Sequence, residues 1–207
     1  MQINIDKKSG IFIAVIAVLL IIIMAMGMSG RSDSSFFGMD HNDGYMMNEN
    51  GSSSVSDLTG SDIMFFQMMI PHHQQAVEIS DLALAKSKDS ELLALAREIR
   101  DGQASEIITM RAWLDAANAE IDMGHHMEDA MGGMLDDSEL AQLDAANGKS
   151  FDLLWLSGMT EHHDGALHMT SMIRDSNSAQ IKKFGEAIVI TQSEQITQMT
   201  AMMKRMG

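Results

Sequence analysis

The sequence predicts an all-α protein: an antiparallel four-helix bundle built from two duplicated helical hairpins, preceded by an N-terminal membrane helix. Three observations carry this prediction. From about residue 61 the apolar residues recur at three- and four-residue spacing, the period of a helix face, with no convincing run of strand alternation. The segment Phe65-x-x-x-Met69-x-x-His72-His73-x-x-Ala76 returns 90 residues later as Trp155-x-x-x-Met159-x-x-His162-His163-x-x-Ala166. The partner helices match as well, Gln103, Ile107 and Met110 with Gln192, Ile196 and Met199 at an offset of 89. Two hairpins with short turns make antiparallel neighbours, and a period this long, present twice, is a duplication and not a solenoid.

Taken in chain order, residues 1–10 read as a cytoplasmic N-terminus. Ile11 to Met28 is an uncharged run of 18 residues preceded by Lys7 and Lys8. As a helix it would rise roughly 27 Å, close to the hydrocarbon thickness of a bilayer. Lysines before the run orient the N-terminus inside, so the folded part is expected on the periplasmic or extracellular side. Ala25-Met26-Gly27 offers a small-x-small site, so cleavage and secretion stand as the alternative to an uncleaved anchor. Residues 29–60, rich in Ser, Gly, Asp and Asn, read as a flexible tether that carries Met39-Asp40-His41 and Met46-Met47.

The bundle is expected over 61–207, with repeat 1 at 61–118, a connection at 119–148 and repeat 2 at 149–207. Helices are predicted at about 61–86, 90–118, 137–146, 149–175 and 178–206. Asp62, Asp89, Asp137 and Asn177 serve as start signals, and Gly124, Gly132, Gly133 and Gly148 as punctuation. Pro71 should kink the first helix or start a new segment there.

Composition narrows the chemistry. The net charge of −15 argues against nucleic acid and anionic lipid as partners, because both need clustered Lys and Arg. With no cysteine, disulfides, thiolate metal sites and thiol catalysis are excluded. The 22 methionines are core filler in the first instance. A thioether is also a soft ligand that suits Cu(I) and cannot be lost to disulfide formation in an oxidising compartment.

Helix seams place the histidines. On the first helix the seam runs Phe65, Met69, His72, Ala76, Ile79, Ala83, and on the fourth Trp155, Met159, His162, Ala166, Met169, Ile173. His72 and His162 should face the interior, with His73 and His163 about 100° round, at the edge of the same face. The partner seams are Leu92, Ala96, Ile99, Gln103, Glu106, Met110, Trp113 and Ile181, Gly185, Ile188, Gln192, Gln195, Met199, Met202, Met206. His72 is expected level with Gln103 and Glu106, and His162 level with Gln192. An interior polar layer costs about 1–3 kcal/mol per unsatisfied group, so it calls for a reason. A self-satisfied hydrogen-bond network is one reason and a metal is the other.

A mixed His/Met shell points to copper, Cu(I) in preference, with Cu(II) or Ag(I) as alternatives. The candidate ligands are Met69, His72, His73, Met159, His162 and His163, with Glu106, Met110, His168 and Met199 beside them. Asp164, His168 and Met172 share a face and form a secondary cluster. Met123-Gly124-His125-His126-Met127, with Met131 and Met134, makes a His/Met connection between the hairpins. Met199, Met202, Met203 and Met206 read as a packing stripe. A carboxylate di-iron oxidase is disfavoured, since Glu-x-x-His occurs nowhere.

Met68-Met69-Ile70-Pro71-His72-His73-Gln74-Gln75-Ala76-Val77-Glu78, echoed by Met159-Thr160-Glu161-His162-His163-Asp164-Gly165-Ala166, resembles the family called domain of unknown function 305. The resemblance runs from about residue 61 to the C-terminus. It implies a ferritin-like helical bundle and, by analogy with members that look like secreted or periplasmic copper-binding proteins, a part in copper tolerance. It also singles out Met69, His72, His73, Met159, His162 and His163. The second copy departs from the first, with Glu161 in place of Pro71 and Asp164-Gly165 in place of Gln74-Gln75. The expectation is a membrane-tethered bundle that sequesters copper or exchanges it with a donor or acceptor protein, without catalysis. A purely structural or interaction module and an iron or copper redox enzyme are the alternatives.

Overall fold

The computed structural model describes residues 58–121 and 132–207, all of them helical or in short connections. Helix α1 (Gly60–Lys86) starts on a capping box: the Thr59 hydroxyl accepts from the Asp62 amide, and the Asp62 carboxylate takes the Thr59 amide at 2.8 Å. Helix α2 (Ser90–Ala116) is capped by Asp89, which accepts from the amides of Glu91 and Leu92. The short α3 (Asp137–Ala145) begins on a second capping box, Asp136 with Glu139. Helix α4 (Gly148–Met169) tightens into a 3-10 turn over Thr170–Ile173, and α5 (Ala179–Met206) is capped by Ser178.

The caps correct three of the four expected start signals. Asp62 is the third helical residue, and Asp136 and Ser178 do the work expected of Asp137 and Asn177. A cap needs extended backbone and an oxygen that reaches an amide two or three residues on, which only the residue just outside the helix supplies. Pro71 does not start a new segment either. Helix α1 continues through it, because the buried residues on both sides, from Phe65 to Ala83, tie the two halves to the same core.

Side-chain contacts set the register. His73 meets Glu106 and Asp81 meets Arg100, so α1 and α2 run antiparallel. His163 meets Gln195, and Gly185 packs on Ile173, which pairs α4 with α5 in the same way. The hairpins join through α1 and α4, where the Trp155 indole donates to the Ile79 carbonyl at 2.9 Å and His162 reaches the His72 carbonyl. On the other side, Arg205 to Asp89 and Gln195 to Glu98 tie α5 to α2. The expected membrane helix at 11–28, the tether up to residue 57 and the Met123–Met127 cluster lie outside the described residues, while Thr59 and Gly60, expected in the tether, cap and open α1. Among those described, no helix is long and apolar enough to cross a membrane.

The seam residues are buried as expected, apart from Met202 and Met206 in the last turn, which with Met203 pack half-buried on the core. One end of the core is aromatic: Phe66, Trp113 and Phe184 stack with centroids 5.2 and 5.0 Å apart. The other end gathers Trp155, Phe151, Leu92 and Ile99. Large apolar side chains buried this fully contribute about 1.5–3 kcal/mol each. The histidine layer lies between the two ends.

A short stretch of the connection, Gly132 to Leu135, presses onto that layer. The Gln75 amide holds it with two bonds of 2.8 Å, one from the Leu135 amide and one to the Leu135 carbonyl. On the facing helix the residue equivalent to Gln75 is Gly165, where a Cβ would lie 1.7 Å from the Gly132 oxygen. Gly133 has φ +85° and rests against the Glu161 carbonyl, so it too admits no side chain. Gly165→Ala should therefore destabilise the fold by about 1–3 kcal/mol in urea unfolding, as overpacking does. Gly102→Ala, on α2 with open space around it, should instead gain up to about 1 kcal/mol of helix propensity.

Candidate metal centre

Four imidazoles occupy the plane where the hairpins meet, and each is wholly buried. His72 and His162 stack across the α1–α4 contact with ring centroids 3.7 Å apart. His73 and His163 flank them, each 6.3 Å from its neighbour in sequence. The flanking pair was expected at the edge of the helix face. It is instead as buried as the seam pair, because α2 and α5 close over it with Glu106 and Gln195.

Every Nε2 faces an oxygen. His73 Nε2 pairs with Glu106 Oε2 at 2.7 Å and His163 Nε2 with Gln195 Oε1 at 2.8 Å. His162 Nε2 meets the His72 carbonyl at 3.0 Å, and His72 Nε2 the Gly132 carbonyl at 3.3 Å. Since these oxygens accept, each Nε2 carries the proton and each Nδ1 keeps its lone pair. All four Nδ1 atoms are buried and have no hydrogen-bond partner among the described residues. The same holds for both amide atoms of Gln103 and of Gln192.

Burial keeps three of the four imidazoles neutral. Desolvation, with His73 nearby, holds His72 down to about 3, and desolvation holds His163 down to about 4. His162 is lowered well below the usual 6.5 by burial and by the adjacent His72. His72, His162 and His163 therefore stay neutral at physiological pH, the form in which histidine binds metals.

Thioethers border it. Met69, Met110, Met159 and Met199 are all wholly buried. In the register of the His73–Glu106 and His163–Gln195 contacts, Met110 lies level with Met69 and Met199 level with Met159, about one turn from the imidazoles. Among the described residues no three His, Asp or Glu side chains close on a point suited to a metal ion. The donors this layer offers are imidazole and thioether, a mixed set that suits Cu(I).

The structure thus brings together nine of the ten candidates, with Glu106 engaged by His73. His168 stands apart. It is exposed on the outer side of α4, its Nδ1 2.8 Å from the Asp164 carbonyl. With Asp164 and Met172 it lines an open groove of about 780 Å³, floored by Gly132 and Gly133. Sequence reasoning missed the Gly132 carbonyl as a partner of His72 and Gln75 as the clamp on the connection. Gly165, standing in the second copy where the first has Gln75, was the available signal.

The model of the domain of unknown function DUF305 matches residues 62–203. The chain belongs to the DUF305 family. No curated protein matches it. Among solved structures, a DUF305 protein from Streptomyces coelicolor, provisionally described as secreted, is 30% identical with a TM-score of 0.67, over 71% of this chain and 94% of that one. A DUF305 fragment from Deinococcus radiodurans is 28% identical with the same TM-score of 0.67, over 72% and 98%. CopM in its Cu(I)-bound form is 29% identical with a TM-score of 0.59, over 70% and 96%. CopM has also been solved in Cu(II)-bound and silver-bound forms.

The lowered histidines set a direction for acid stability. The unfolded chain takes these protons near pH 6.5, the fold only near pH 3 to 4. Below 6.5 the unfolded state binds more protons, so this contribution is complete above pH 6.5 and is lost as pH falls towards 4. Urea midpoints of the metal-free protein should accordingly drop between pH 7 and 4.5, and a midpoint that held or rose would contradict the neutral layer.

Proposed function

We propose that this DUF305 chain is an extracytoplasmic copper-binding protein that sequesters or hands over copper, preferring Cu(I), in metal homeostasis or tolerance. The reading rests on one observation: four buried imidazoles whose Nδ1 atoms have no hydrogen-bond partner among the described residues, bordered by buried methionines. A purely structural polar layer would be expected to satisfy both nitrogens of each ring, because an unsatisfied buried group costs about 1–3 kcal/mol. Similarity to CopM, bound to Cu(I), Cu(II) and silver, supports the same cargo.

His72, His73, His162 and His163 are the proposed primary ligands, with Met69 and Met159 as their soft partners and Met110 and Met199 bordering them. Copper is the cargo of this ferritin-like bundle, and no catalytic turnover is assigned to it. The uncharged run 11–28 supports attachment to the membrane, and the provisional secreted description of the Streptomyces relative supports the same side of it.

Titration of the full-length chain with Cu(I) against a chromogenic chelator tests the proposal. The wild type should strip copper from the chelator. The variant with His72, His73, His162 and His163 all changed to Ala should lose at least about tenfold in affinity, more than 1.4 kcal/mol. Equal, weak competition by both proteins would refute the reading.

A further inference from the structure

The duplication gives the two histidine pairs matching surroundings with one chemical difference. In the first hairpin His73 Nε2–H donates to a carboxylate, Glu106, at 2.7 Å. In the second, His163 Nε2–H donates to an amide oxygen, that of Gln195, at 2.8 Å. The Gln195 amide is held in that sense, because its nitrogen donates to Glu98 Oε1 at 3.2 Å and leaves the oxygen for the imidazole. All four side chains are buried, and Met69 with Met110 in one half stand where Met159 with Met199 stand in the other.

A carboxylate that accepts from the far N–H of an imidazole raises the basicity of the ligating nitrogen. Such partners are worth roughly tenfold to a hundredfold in metal affinity. A neutral amide fixes the ring equally well but pushes less electron density into it. The carboxylate also compensates the charge of a buried cation, whereas on the Gln195 side the carboxylate of Glu98 stands one hydrogen bond further from the ring.

We propose that each hairpin takes one soft monovalent cation and that the two sites are unequal, the half with Glu106 retaining its ion and the half with Gln195 releasing it. Glu106 and Gln195 act through His73 and His163 as positioning residues that set the difference. This inference rests on the copper-binding reading and adds to it which half holds and which half gives.

Silver(I), which is redox-inert, is the probe. The full-length chain should bind it in two steps whose affinities differ by roughly tenfold to a hundredfold. Glu106→Gln should weaken the tighter step and close the gap. Gln195→Glu should strengthen the weaker step, and the double exchange E106Q/Q195E should restore the gap. In the metal-free protein the Nε2–H proton resonance of His73 should lie downfield of that of His163, and the double exchange should reverse their order. That NMR signature separates an electronic effect from mere loss of packing. A single binding step, or a gap that neither substitution moves, overturns the inference while leaving copper binding intact. Absence of silver binding by the wild type overturns both. If E106Q does not fold, the Q195E result decides.

Discussion

Placing four imidazoles where two hairpins meet imposes a constraint from which much of the interior follows. Burial disfavours charge on His72, His162 and His163, and each of the four Nε2–H groups must find an acceptor. Two acceptors come from the backbone, the carbonyls of His72 and Gly132, and two from the partner helices, Glu106 and Gln195. The bond from His162 to the His72 carbonyl crosses from one hairpin to the other, as does the bond from Trp155 to Ile79. Satisfying the buried ring N–H groups and docking the hairpins are therefore one problem with one solution.

The same constraint explains why the two copies have diverged where they touch the connection. Only one strip of backbone, Gly132 to Leu135, crosses the layer among the described residues, so a symmetric pair of helices must treat it asymmetrically. The first copy grips it with Gln75, and the second makes room for it with Gly165. The substitution of Gln by Gly between repeats is thus the mark of a single strip passing between two equivalent faces.

With the Nε2 of each ring facing an oxygen, the Nδ1 atoms have no hydrogen-bond partner among the described residues, and four buried methionines lie about one turn away. Hard cations would gain little from methionine, while a soft monovalent ion gains from both donor types. The acidic surface, with its net charge of −15, favours the approach of cations of any kind.

Helical periodicity and the duplication were enough to name the helices, their antiparallel pairing and the seam from Phe65 to Ala83 with its counterpart from Trp155 to Ile173, because a buried stripe leaves its period in the residues themselves. They also placed Met69, Met110, Met159 and Met199 beside the histidines. The exact caps, the passage of α1 through Pro71 and the full burial of His73 and His163 were decided by packing, which no one-helix pattern records. Tertiary structure alone supplied the partner of each Nε2 and the strip over the layer. Those contacts join residues 32 to 90 positions apart, and two of the acceptors are backbone carbonyls, which every residue has and which carry no signature in sequence.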